Sequence, residues 1–137
     1  MKGKMFIDTN IFFYLFSYGE KAKQRFVIDF LEENRNNIYV WSPQIASELF
    51  NVLIRKFRYD PIEVKDFFNS LKKYEEIVED TALIKNAIDI HVINKLSFLD
   101  SKVVASAIKG NCKYLITDNL THLQEIQGVQ IVNPFKL

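Results

Sequence analysis

The chain has few of the residues that mark disulfide-bonded, membrane-spanning or secreted proteins. Its single cysteine, Cys112, excludes an internal disulfide and any paired-cysteine metal or redox motif, which fits a reducing compartment. No apolar run approaches the roughly 20 residues that a membrane-spanning helix needs. The first residues, "MKGKMFID", reach an acid too early for a secretory signal peptide. These absences predict a soluble, cytoplasmic protein with no membrane partner.

Glycine and proline are also scarce, with four Gly and three Pro in 137 residues, which indicates a helix-rich chain with short connections. The length is that of one domain, and the sequence contains no internal repeat, so we expect residues 1–137 to form a single domain. Hydrophobic residues make up 48% of the chain, enough for an ordinary core. The 18 basic and 17 acidic side chains nearly cancel, so net charge argues neither for nor against nucleic-acid binding.

Short apolar segments alternate with helical patterns along the chain. Four segments, "KMFI", "IYVW", "YLIT" and "VQIV", have the composition of buried strands, and "EEIVE" is a weaker fifth. Helical patterns cover about 11–16, 21–35, 43–57, 61–73, 81–93 and 99–109, and "THLQ" suggests one more short helix. This alternation predicts an α/β fold, a three-layer α/β/α sandwich with a central, mostly parallel sheet of four or five strands.

Four carboxylates follow predicted strands or begin predicted helices, and each has an ordinary structural explanation. Asp8 directly follows "KMFI" and is a good N-cap for the next helix. Glu48 falls at the margin of the apolar stripe of its helix, as a solvated edge residue does. Asp100 continues an apolar helix face and forms an S-x-x-D capping pattern with Ser97. Asp118, in "TDN", fits a turn or an Asx cap.

The four carboxylates together favour a metal site. If the sheet is parallel, Asp8 and Asp118 lie just past strand ends, while Glu48 and Asp100 lie in helices that start at that same edge. Two carboxylates ~5 Å apart repel by about 3 kcal/mol at an effective dielectric near 20, so such a cluster needs cations. Hard oxygen ligands select Mg²⁺ or Mn²⁺, and such a site suits phosphodiester hydrolysis. We therefore expect Asp8, Glu48 and Asp100 to converge within metal-bridging distance.

Four segments resemble the motifs of the PIN-domain family, especially its VapC-type toxin ribonucleases. "MFIDTNIFFYLF" is similar to the family's opening strand with its Asp-Thr-Asn motif, and "SPQIASELFNVL" to the segment with the second acid. "LSFLDSKVVASA" resembles the third segment, and "YLITDNLTHLQEIQGVQIVNPF" the fourth together with the closing strand. One departure concerns the fourth acid. Aligning Thr117 on the family's Thr/Ser-x-Asp pattern puts Asn119 at the acidic position and Asp118 one residue before it.

The resemblance implies a function, a cofactor and partners. It implies an endoribonuclease that uses Mg²⁺ or Mn²⁺ and leaves a 5′-phosphate and a 3′-hydroxyl. It also implies a homodimer and, for toxin members, a small antitoxin whose segment lies across the active-site groove. Carried onto this chain, the catalytic residues are Asp8, Glu48 and Asp100.

Each site residue has an expected role. Asp8 and Asp100 bind the metal directly, and Glu48 is a ligand or positions the attacking water. A second ion is supported by Asp118 or Asn119, and both possibilities stay open. The metal shell is held in place by hydrogen bonds from Thr9 and Asn10.

Two other classes of function compete with a nuclease. A signalling receiver domain needs an acidic pair after the first strand, and a haloacid-type phosphatase needs D-x-D there. This chain has D-T-N, so both are disfavoured. The second alternative is a catalytically impaired PIN-like domain, which has the same fold but binds RNA or a protein without cleaving RNA. Asn119, which stands where the family has an acid, keeps that alternative open.

Overall fold

The computed structural model describes residues 1–16 and 20–137. This part of the chain forms one six-stranded sheet with the strand order β3-β2-β1-β4-β6-β5. Every neighbouring pair is parallel except the antiparallel β5–β6 pair. The strands are β1 (Met5–Ile7), β2 (Tyr39–Trp41), β3 (Glu75–Glu76), β4 (Tyr114–Ile116), β5 (Glu125–Ile126) and β6 (Val129–Val132). The predicted mostly parallel sheet is confirmed.

The strand count of four or five was too low, because β5 was not predicted. Its two residues pair with β6 across the turn Gln127–Gly128. Both turn residues have positive φ, 48° and 87°, as the central residues of a tight two-residue hairpin turn do. Gly128 is the one local signal for this turn, and Gln127 gives none.

Helices connect the strands, and most begin within two residues of their predicted starts. They are α1 (Thr9–Tyr14), α2 (Lys21–Glu33), α3 (Pro43–Phe57), α4 (Pro61–Ser70), α5 (Thr81–Asn94) and α6 (Phe98–Lys109). The helix suggested at "THLQ" is wrong, since those residues form a turn. A short 3₁₀ helix at Pro134–Lys136 was not predicted. None of the described helices is both long and apolar enough to cross a membrane.

The central strands are covered on both faces. All three residues of β1, and all three of β4, are buried. Successive side chains of a strand point to opposite faces, so full burial requires helices on both sides of the sheet. The structure is thus the predicted three-layer α/β/α sandwich.

Aromatic packing holds α1 in position beside the sheet. At six residues, α1 is too short to be stable by itself. Phe12 is fully buried, and its ring contacts those of Trp41, Phe67 and Tyr74 at centroid distances of 5.9, 6.3 and 5.8 Å. This cluster fixes the end of β1 and the residues that follow it.

Candidate active site

Asp8 lies at the end of β1, where it caps α1. Its backbone N–H donates to the carbonyl of Ile116 at 3.1 Å, which ties the ends of β1 and β4 together. The Thr9 N–H donates to Asp8 Oδ1 at 2.8 Å, so the predicted cap is confirmed. The Thr117 hydroxyl donates to Oδ2 at 2.7 Å. Each carboxylate oxygen has a second lone pair, so this capping does not prevent Asp8 from binding a cation.

Burial raises the pKa of Asp8. The side chain is 7% exposed, and loss of hydration raises the pKa from 3.8 to about 6. The hydrogen bonds from Thr117 and Thr9 act in the opposite direction, and the nearby charges of Glu48 and Asp100 raise the pKa further. Asp8 therefore lies in a negative potential that other carboxylates contribute to, and a cation would relieve it.

Glu48 is held by two hydrogen bonds in the second turn of α3. The hydroxyl of Thr9 donates to Oε2 at 2.8 Å, and Gln44 Nε2 donates to Oε1 at 2.9 Å. Ser42 caps the start of this helix. The support from Gln44 was missed in the sequence, although its i,i+4 spacing to Glu48 was available as a signal. Glu48 is thus oriented toward the end of β1 and does not extend freely into solvent.

Asp100 lies in the first turn of α6 but is not itself the cap. The cap is Ser97, whose Oγ accepts the N–H of Asp100 at 3.1 Å. The Asp100 carboxylate accepts a hydrogen bond from Asn119 Nδ2 at 3.2 Å. In this S-x-x-D pattern the serine caps the helix, and the carboxylate points toward the loop after β4.

Asp118 and Asn119 point to different neighbours. Asp118 accepts the hydroxyl of Tyr14 at 2.5 Å and the side-chain amide of Asn10 at 3.3 Å. Burial raises the pKa of Tyr14, and the Asp118 charge raises it further, so the phenol stays protonated and donates. Asn119 lies on the other side, against Asp100. The contact from Tyr14 was not predicted, because it joins residues 104 positions apart in sequence.

One cleft of about 530 Å³ gathers most of the predicted site residues. Its lining includes Asp8, Thr9, Asn10, Glu48, Asp100 and Asn119. Asp118 is not part of that lining, so its assignment as a metal ligand stays a prediction. Convergence is looser than expected, because within the described ranges no three His, Cys, Asp or Glu side chains lie close enough to hold one metal ion together. The three acids share a cleft without forming a closed ligand group.

The comparison with known families decides the classification. The PIN-domain model matches residues 5–126, most of the chain. The chain belongs to the PIN-domain family. The matched range contains every residue that lines the cleft.

Several solved structures share the fold. A toxin–antitoxin complex from Klebsiella pneumoniae is 21% identical, with a TM-score of 0.71 over 95% of this chain and 97% of that one. VapC20 of Mycobacterium tuberculosis, described as a sarcin–ricin loop cleaving toxin, is 17% identical with a TM-score of 0.67 over 81% and 86%. VapBC2 of Rickettsia felis, bound to a promoter DNA fragment, is 19% identical with a TM-score of 0.66 over 93% and 96%. At these identities the likeness shows the fold.

One curated protein also matches part of this PIN domain. It is an acetate kinase of Mycoplasmopsis pulmonis (strain UAB CTIP), 33% identical over 91 residues. The match covers 58% of this chain but only 23% of that protein. The chain thus spans less than a quarter of the length of this curated relative, and the kinase's activity is not transferred to it.

The donor set of this PIN domain fits a hard divalent cation. The acids in the cleft present oxygen donors, and Asn119 adds a side-chain amide, whereas the lining contains no cysteine or histidine. Mg²⁺ keeps several of its waters and binds through one or two carboxylates, so it does not need a closed group of three acids. Soft or nitrogen-preferring metals are disfavoured by the same donor set.

Proposed function

We propose that this PIN domain is a Mg²⁺- or Mn²⁺-dependent endoribonuclease and the toxin of a toxin–antitoxin pair. The observation that carries the proposal is the shared cleft, which is lined by Asp8 after β1, Glu48 of α3 and Asp100 of α6. The raised pKa of Asp8 supports it, since perturbed acids cluster at functional sites. The toxin described as cleaving the sarcin–ricin loop supports RNA as the substrate class.

The residues of the chain divide the chemistry between them. Asp8 and Asp100 would hold the cation, and Glu48 would orient the attacking water or complete the coordination. When bound, the cation would lower the pKa of that water and neutralise charge on the phosphate in the transition state. Thr9 and Thr117 keep the carboxylates in their rotamers through the hydrogen bonds described above. Cleavage would leave a 5′-phosphate and a 3′-hydroxyl.

The role of the fourth position follows from its contacts. Asn119 is within hydrogen-bonding distance of Asp100 and lines the cleft, so it would orient that ligand or coordinate through its carbonyl oxygen. Asp118 would either support a second ion or act through Asn10, which it holds at 3.3 Å. We favour the second role for Asp118, because its side chain does not line the cleft that holds the other three acids.

The partners belong to the same proposal. Several solved structures of similar fold are complexes of a toxin with its antitoxin, which supports a small antitoxin protein as a partner. A homodimer and a cytoplasmic location are proposed on the family resemblance. The competing function is an RNA- or protein-binding module without cleavage. It is favoured by the open arrangement of the acids among the described residues and by the amide at position 119.

The experiment that separates these functions is Mn²⁺-dependent cleavage of structured RNA. We expect the wild-type protein to cut the RNA, and Asp8→Asn to cut it more than about 100-fold more slowly. This factor is a lower bound, because groups that only orient metal ligands already contribute roughly 10–100-fold. The matched control is Asp66→Asn, which makes the same change at an exposed position of α4 and should keep full activity. Absence of cleavage by the wild type, or equal rates for Asp8→Asn, would reject the nuclease in favour of the binding module.

A further inference from the structure

A second cleft adjoins the candidate active site on the side of Asp100. It has a volume of about 680 Å³ and shares Ser97, Asp100 and Asn119 with the active-site cleft. Three basic side chains from different parts of the chain line it, namely Lys95, His122 and Lys136. Lys95 follows α5, His122 lies in the loop after β4, and Lys136 ends the 3₁₀ helix. The fold thus brings residues far apart in sequence to one place.

The charge distribution distinguishes this cleft from its neighbours. The active-site cleft is lined by three acids and by no lysine or arginine, so it offers a phosphodiester no cationic side chain. Another cleft, which shares Glu48 with the active-site cleft, contains Lys102, but Glu79 pairs with that lysine at 3.1 Å. In the described residues, neither Lys95 nor Lys136 has a carboxylate within ion-pairing distance. The cleft beside Asp100 is therefore the flank that offers unpaired positive charge.

His122 adds a hydrogen-bond donor in a fixed ring. The backbone N–H of Asn133 donates to His122 Nδ1 at 3.0 Å. Because Nδ1 accepts this bond, the neutral ring carries its proton on Nε2, which is then a donor. The half-buried ring is tied to the segment after β6, so binding a ligand there costs little side-chain ordering.

We propose that Lys95, His122 and Lys136 form a subsite for an RNA backbone phosphate that flanks the scissile bond. The proposal rests on the proposed function. It places the RNA strand on the Asp100 side as it leaves the catalytic cleft. Lysine ammonium groups and a ring N–H bind phosphate oxygens without reading the base, so this subsite positions the strand. Asp100 and Asn119 line both clefts, so a phosphate held here lies next to the catalytic acids.

The test is the salt dependence of RNA binding without cleavage. Binding of a short single-stranded RNA is measured by fluorescence anisotropy in EDTA, for the wild type and for Lys95→Asn/Lys136→Gln. Asparagine suits position 95, because that residue has a φ of 58°. Losing two phosphate contacts should lower the slope of log K against log salt by about 1.4, which is roughly 25-fold in affinity per tenfold change in salt. His122→Asn keeps an acceptor for the Asn133 N–H but removes the ring N–H donor. Added to the double variant, it should weaken RNA binding further.

Two controls make the result specific. Lys113→Gln removes a charge before β4, at the opposite edge of the sheet, and should leave both affinity and slope unchanged. Lys95→Arg/Lys136→Arg keeps both charges and should bind like the wild type. Unchanged binding by the double neutral variant, an equal loss in Lys113→Gln, or no RNA binding by the wild type would overturn the subsite. Cleavage is assayed separately with Mn²⁺, so a nuclease without this subsite and a subsite without a nuclease give different results.

Discussion

At the scale of single residues, Asp8 is costly to bury. Its carboxyl releases its proton near pH 3.8 in the unfolded chain but near pH 6 in the folded one. Between those values the folded state binds more protons, so stability falls as the pH rises through this window. A shift of about two units corresponds to about 3 kcal/mol, and the whole penalty is present above pH 6. The site thus keeps a charge that the fold would be more stable without.

This penalty predicts that removing the charge stabilises the metal-free protein. Asp8→Asn keeps the side-chain shape and an acceptor for the Thr9 N–H, while the Thr117 hydroxyl can accept from the new amide. In EDTA at pH 7 we expect the variant to unfold at a higher urea concentration than the wild type. Its free energy of unfolding should be higher by up to about 3 kcal/mol. The difference should shrink toward pH 4, where the wild-type carboxyl is protonated. A gap that is equal at both pH values would mean that burial of the charge is not its cause.

At the scale of helices and strands, the caps were the most predictable features. Asp8 and Ser97 each cap the helix that the sequence predicted for them, and Ser42 and Asp60 cap α3 and α4 in the same way. A cap depends on the residue itself and on the few that follow, so it is readable locally. The β5–β6 hairpin was missed because only one of its two turn residues is a glycine. Five non-glycine residues in the described part of the chain have positive φ, so glycine is a poor guide to the turns there.

The cap of α6 gives a prediction at this scale, because it also places Asp100. Ser97→Ala removes the acceptor for the Asp100 N–H and should lower the free energy of unfolding by about 1 kcal/mol, measured by urea titration. Ser97→Asp provides another good capping oxygen and should restore most of that loss. If Ser97→Ala is as stable as the wild type, the bond of 3.1 Å contributes nothing to α6.

At the scale of the whole molecule, the place of the site could be predicted, but not its side-chain contacts. The expectation that acids after β1, in α3 and in α6 meet needed only a parallel sheet, whose strands end at one edge. The direction of each carboxylate depends on neighbours distant in sequence, such as Thr117 for Asp8 and Tyr14 for Asp118. Those contacts join residues far apart in the sequence, so no short sequence motif could predict them. This is why four acids were expected together and three line the cleft.

Because Asp118 does not line the cleft, removing its charge should leave the stabilisation of the protein by Mn²⁺ intact, whereas removing a cleft acid should abolish it. A cation that binds only the folded state stabilises it by about 2.7 kcal/mol at a concentration of 100 times its Kd. We expect Mn²⁺ to raise the unfolding midpoint of the wild type and of Asp118→Asn, but to have little effect on Asp100→Asn. Asn at position 118 can still accept a hydrogen bond from the Tyr14 hydroxyl. The comparison therefore tests the loss of the negative charge while the packing around Tyr14 is kept. The control is Asp66→Asn, which should respond like the wild type. If Asp118→Asn loses the Mn²⁺ response as fully as Asp100→Asn, Asp118 is a metal ligand; if the wild type shows no response, the metal site itself is wrong.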